Sequence, residues 1–346
     1  MKVRIHKWSE IADGFKDGLI LGNGASIAIS KNFSYTSLLE QAVEKDFLDS
    51  NIKEIFNYFQ TSDFELILRI LQDAYFVAEK LNIEGAEKLK DNYFKLREAL
   101  IKTIGEMHCE YNEAKPHFRK IIKYLSSFKT IVSLNYDLII YWALMDKKRE
   151  LRGKNLIKDC FIDENGRRFC YDWEWLRKPD DALKHAVLLF YQHGNLTLAI
   201  DAFGNEEKIV RDGDSDDNLL ATIFKKWEEN FYSPLIVSEG TSEQKLKAIR
   251  RSSYLSNIYD NVLPNLGESV VIYGSSLSRN DRHIINQLLR NKELKRIAIS
   301  VLVLEQDLRE KYNELSDVLQ PFRHFLNRGV RLNFLMRKLV GYMKDE

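Results

Sequence analysis

Short apolar runs closed by small polar residues set the pattern of this chain. Leu19-Ile20-Leu21 runs straight into Gly22-Asn23-Gly24-Ala25-Ser26, and a second apolar run follows. That order predicts a buried parallel strand turning tightly into a helix, with glycines where the backbone bends. From about Ser37 to Leu125 the apolar spacing becomes helical. Ser62 to Glu65 has the Ser-x-x-Glu spacing of a capping box. Leu66, Ile67, Ile70, Leu71, Ala74, Val77, Ala78 and Leu81 then predict one buried stripe. Further helices are expected at 85–107 and 116–127. A block this long between two strands exceeds a simple crossover and predicts a helical insertion over about 37–125, beside the sheet at its carboxyl edge.

Residues 1–16 read as a polar lead-in. Further strands are predicted at 129–134, 186–191, 234–237, 269–273, 296–304 and 330–335, with a helix at 138–146. Between about 147 and 184 the chain is irregular, charged and aromatic, with a hairpin turn expected at Asn165-Gly166. Trp173 and Trp175 there either stack on a base or cap a small subdomain. Strands alternating with helices predict an α/β fold with a doubly wound, mostly parallel sheet. Residues 1–290 are expected to form this domain, and 291–346 a strand–helix–strand extension on the same sheet.

Composition narrows the partners. In 346 residues, 52 basic and 51 acidic side chains nearly cancel, so no overall field recruits nucleic acid or an anionic membrane. The three cysteines, Cys109, Cys160 and Cys170, form no C-x-x-C pair and suit a reducing compartment. Neither a signal peptide nor an apolar run of bilayer length is visible, which predicts a soluble cytoplasmic protein.

Chemistry is expected where strands end, because open α/β sheets bind ligands outside their carboxyl edge. Four predicted strands end in small or functional polar residues. These are Gly22-Asn23-Gly24-Ala25-Ser26, Asn135-Tyr136-Asp137, His193-Gly194 and Gly274-Ser275-Ser276-Leu277. Each has a plain reading: a G-x-G corner closes many strand–helix turns, Asn135 and Asp137 can cap the next helix, His193 can be a loop histidine, and Gly274 to Ser276 a tight turn.

Taken in order, the four resemble the motifs of the sirtuin-like superfamily of NAD-consuming Rossmann proteins: a G-A-G-x-S turn, a T-x-N-x-D strand end, an H-G pair and a G-[ST]-S-L turn. The resemblance spans roughly residues 17–290. The stretches PLIVSEGTSEQKLKAI, TSDFE and YGSSLSRNDRHI are similar to the bacterial sirtuin-like branch rather than to the deacetylases. The two C-x-x-C pairs of the deacetylase zinc module are missing, the G-I-P-D-F-R stretch is absent, and Ser238-Glu239-Gly240 stands where a peptide-binding F-G-E element is expected.

The resemblance therefore implies a Rossmann-like fold and an NAD hydrolase, releasing nicotinamide and ADP-ribose in defence against phage. Asn135 would hold the ribose hydroxyls and the attacking water, and His193 would be the general base. Asp137 would hold the carboxamide. Gly22, Asn23, Gly24, Ala25 and Ser26 would cradle the diphosphate, and Gly274, Ser275 and Ser276 would line the adenosine side. No metal is required. ADP-ribosyl transfer or cyclisation at the same site, and a silent NAD sensor, stay open. A homo-oligomer and a partner ATPase or other defence protein are expected by analogy.

Overall fold

Strands with apolar residues pointing to both faces have no face suited to water, so a sheet made of them must be covered on both sides. In the computed structural model, which describes residues 5–34, 37–150, 157–162, 167–178, 186–201, 203–210, 219–229, 232–237, 241–275, 279–302, 326 and 329–337, such strands form the centre. In chain order the strands are β1 (Ile5–His6), β2 (Gly18–Leu21), β3 (Thr130–Ser133), β4 (Ile157–Lys158), β5 (Phe161–Ile162), β6 (Arg168–Phe169) and β7 (Val187–Tyr191). They continue with β8 (Gly194–Ile200), β9 (Glu206–Lys208), β10 (Ser233–Ile236), β11 (Ser269–Tyr273), β12 (Arg296–Leu302) and β13 (Arg331–Arg337).

Eight of them form one sheet in the order β1-β13-β12-β11-β2-β3-β7-β4. Every pairing in it is parallel. All residues of β2, β3, β7 and β11 are buried. The fold is thus α/β and doubly wound. From β2 the chain winds toward β3, and from β11 toward β12, so the order reverses between β2 and β11. A crevice is expected outside the carboxyl ends at such a reversal. Register brings those ends level: Leu21 pairs with Ser133 and with Tyr273, and Ser133 pairs with Tyr191. The segments starting at Gly22, Leu134, Gln192 and Gly274 therefore leave the sheet side by side.

Between β2 and β3 lie helices Leu38–Glu44, Ser50–Tyr58, Phe64–Lys80, Ala86–Met107, Tyr111–Ala114 and Phe118–Leu125, which make the helical insertion. The cap of helix Phe64–Lys80 is Asp63, whose carboxylate accepts the Leu66 N–H, not Ser62 as the spacing suggested. Its buried face is also rotated. Phe64, Ile67, Leu68, Leu71, Tyr75 and Ala78 are buried, whereas Val77 is 57% and Leu81 66% exposed. Apolar residues occupy more than one face here, and the large rings of Phe64 and Tyr75 decide which face turns inward.

Two further differences concern strands. Residues 5–6, within the expected lead-in, add an edge strand to β13. The predicted strand at 234–237 is β10, but it joins an antiparallel side sheet of order β10-β8-β9 rather than the parallel sheet. β5 and β6 pair antiparallel, although their connecting turn at Asn165-Gly166 lies outside the described residues. Trp173 is buried against Phe190 and donates to the Asn257 side chain, while Trp175 is half exposed.

Candidate functional site

Two glycine turns meet at the reversal point. Gly22 donates its N–H to the Tyr273 carbonyl (2.9 Å) and Gly24 donates to the Gly274 carbonyl (2.7 Å). Gly274 has φ +75°, and a Cβ there would lie 2.4 Å from the Ala25 nitrogen. A Cβ on Gly22 would lie 2.6 Å from the Ser275 Cα. Both glycines are therefore required by turn-against-turn packing. Gly274 is tied further to β12, since its N–H reaches the Ser300 hydroxyl at 2.8 Å. Ala25 donates to the Gly22 carbonyl, Ser26 to the Asn23 carbonyl, and the Asn23 amide to the Phe33 carbonyl. The N–H groups of Gly22, Gly24, Ala25 and Ser26, expected to cradle a diphosphate, are thus bonded to protein carbonyls in this conformation.

Asn135, just past β3, is the hub of the cluster. Its backbone N–H is held by the Ser133 hydroxyl at 3.1 Å. Its side-chain amide donates to the Gly22 carbonyl (3.1 Å) and to the Ser26 hydroxyl (2.9 Å). A carbonyl can only accept, so the amide nitrogen must face Gly22, which fixes the orientation of the group. Its Oδ1 is buried and has no hydrogen-bond partner, in a residue only 8% exposed. Ser26 passes its hydrogen to Asp137 Oδ2 at 2.5 Å, and Asp137 Oδ1 accepts the Ile139 N–H at 2.9 Å. Asp137 thus opens helix Ile139–Glu150 and locks Ser26, so in this conformation it acts on the site through Ser26.

His193 follows β7 in the two-residue link to β8. Gly194 has φ +73°, and a Cβ on it would lie 1.8 Å from the Leu235 carbonyl oxygen, because β10 crosses directly behind. The His193 carbonyl accepts the Val237 N–H at 2.8 Å. Its imidazole is buried and stacked against the His283 ring, with Nε2 lying 3.1 Å from Nε2 of His283. Burial, then the Lys245 charge and His283, push its pKa well below the usual histidine range. Ser275 lies beside Gly22, and Ser276 lies outside the described residues.

Several residues around this cluster carried no assignment from the sequence. His108, from the insertion, accepts the Leu138 N–H on Nε2 at 3.0 Å and pairs Nδ1 with the Cys109 carbonyl at 2.8 Å. It pins the loop that carries Asn135, and burial lowers its pKa. Helix Ser242–Arg251 and its cap bring Gln60, Asp63 and Asp281 together. Gln244 reaches the Gln60 carbonyl, Lys245 pairs with Asp281 at 2.8 Å, and Arg251 lies 3.9 Å from Asp63. Burial together with Asp63 raises the Glu65 pKa well above the usual carboxylate value. No local spacing announces these contacts, because each joins distant segments.

Among the described residues no group of three or more His, Cys, Asp or Glu is placed to hold a metal ion, and no helix is long and apolar enough to cross a membrane. Residues 19–335 match the family described as a domain of unknown function, DUF4917, so the chain belongs to that family. No curated protein matches it.

Proposed function

We propose that this DUF4917 protein cleaves the nicotinamide–ribose bond of NAD, giving nicotinamide and ADP-ribose, in bacterial defence against phage. One observation carries the reading. At the reversal point of the sheet, a buried Asn135 amide is clamped through its nitrogen while its oxygen has no partner. A buried acceptor without a donor costs roughly 1–3 kcal/mol, and a ribose hydroxyl or water would relieve it.

The chemistry asks for positioning more than for force. As the bond to nicotinamide breaks, positive charge builds on the ribose, so a nucleophile must be fixed nearby and bulk water excluded. Asn135 supplies the fixed acceptor, held rigid by Gly22, Ser26 and Ser133. His193, kept neutral by burial at the end of the neighbouring strand, supplies the proton acceptor. Asp137 keeps Ser26 oriented. The test is incubation of the purified protein with NAD and measurement of released nicotinamide. Binding without release would favour the sensor reading, and an ADP-ribosylated or cyclic product the transferase or cyclase reading.

A further inference from the structure

His193 Nε2 already has a partner, lying 3.1 Å from Nε2 of His283. The other end of the chain fixes which ring donates. The Ser242 oxygen takes the His283 backbone N–H at 2.8 Å, and its own hydrogen goes to Nδ1 of His283, 3.2 Å away. His283 Nδ1 is then the acceptor, so its ring hydrogen sits on Nε2 and is presented to the lone pair on His193 Nε2.

A proton taken from a substrate hydroxyl has to land on a lone pair. The His193 lone pair faces His283. Building on the NAD reading of the site, we propose that His283 is a positioning residue that latches His193, occupying the lone pair until a substrate hydroxyl takes its place. The latch is assembled from two elements. His283 is in helix Arg282–Leu288, Ser242 opens helix Ser242–Arg251, and the Lys245–Asp281 ion pair joins the two. The charged and titratable groups around the rings are the paired Lys245 and Asp281, with Tyr259 stacked 6.4 Å from the His283 ring centre. Burial disfavours protonation of both rings, with Lys245 acting in the same sense and Asp281 opposing it at His283. The site is thereby built to stay quiet at low NAD, which suits a protein whose unrestrained activity would drain a shared cofactor.

The test is His283→Phe, which keeps the ring and removes the donor, with Ser242→Ala as a milder second variant that loosens the His283 anchor. His193 is followed by ring-nitrogen NMR titration, and NAD cleavage by initial rates. The His193 midpoint should rise, while burial still holds it below the ordinary histidine range. Cleavage at subsaturating NAD should rise roughly 3- to 10-fold, the worth of one net hydrogen bond, through a lower KM, with the gain abolished by adding Asn135→Ala. An unmoved His193 midpoint in both variants overturns the pairing. A raised midpoint with cleavage lost, as in His193→Ala, overturns the latch and makes His283 a helper. A raised midpoint with no NAD cleavage in any variant supports the pairing and overturns the NAD reading alone.

Discussion

Gly24 gives its backbone N–H to the carbonyl of Gly274, 2.7 Å away, and so joins the ends of two neighbouring strands into one turn-on-turn unit. Because Gly274 has φ +75° with the Ala25 nitrogen 2.4 Å from its would-be Cβ, Gly274→Ala should cost more than about 3 kcal/mol, strain and clash together. Gly85 has φ +87° with nothing within 4 Å of a Cβ, so Gly85→Ala should cost only about 1–2 kcal/mol. Urea midpoints of the two variants check the difference.

Ser26 stands between Asn135 and Asp137, accepting from one and donating to the other. Ser26→Ala should leave a buried carboxylate oxygen and one amide hydrogen unpaired, costing about 1–3 kcal/mol. It should also lower cleavage, because Asn135 then keeps the Gly22 carbonyl alone as an anchor. Ser26→Thr should rescue stability in part, and a rate equal to wild type in folded Ser26→Ala would contradict the clamp.

The parallel centre was legible because β2, β3, β7 and β11 carry short apolar runs that lead into glycine, asparagine or histidine. β8 was not, since buried Asn195 and Thr197 interrupt its apolar pattern. They bond to each other at 2.8 Å, and Asn195 also donates to the Asp137 carbonyl. Likewise, Asn135 and His193 were visible as strand-end residues, whereas His283 acts on His193 across a separation of 90 positions that no spacing rule connects. The commitment of the glycine-turn N–H groups to carbonyls was equally invisible. For Gly22 and Gly24 it arises from β11 packing against β2, which pattern alone does not reveal.

Acid should unfold the protein through its buried histidines. Burial holds His283 at about 4 against an ordinary 6.5, and His108 and His193 are lowered in the same sense. The unfolded chain therefore takes up protons near pH 6.5 while the folded rings stay neutral, so stability falls as pH drops from about 6.5 toward 4. His283 alone contributes roughly 3 kcal/mol to that fall. Urea midpoints at pH 7, 6, 5 and 4.5 should decline steadily, and His283→Phe should flatten the curve. A flat wild-type curve above pH 5 would contradict neutral burial of these rings.

The central claim is that the clamped Asn135 amide serves cleavage of NAD, and nicotinamide release measured side by side in wild type, His283→Phe and Asn135→Ala tests it most directly. At millimolar NAD the first two should release nicotinamide. Folded Asn135→Ala should be slower by about 10²–10³, the usual cost of one preorganised polar group. Silence from both wild type and His283→Phe, or undiminished release by Asn135→Ala, would contradict the account.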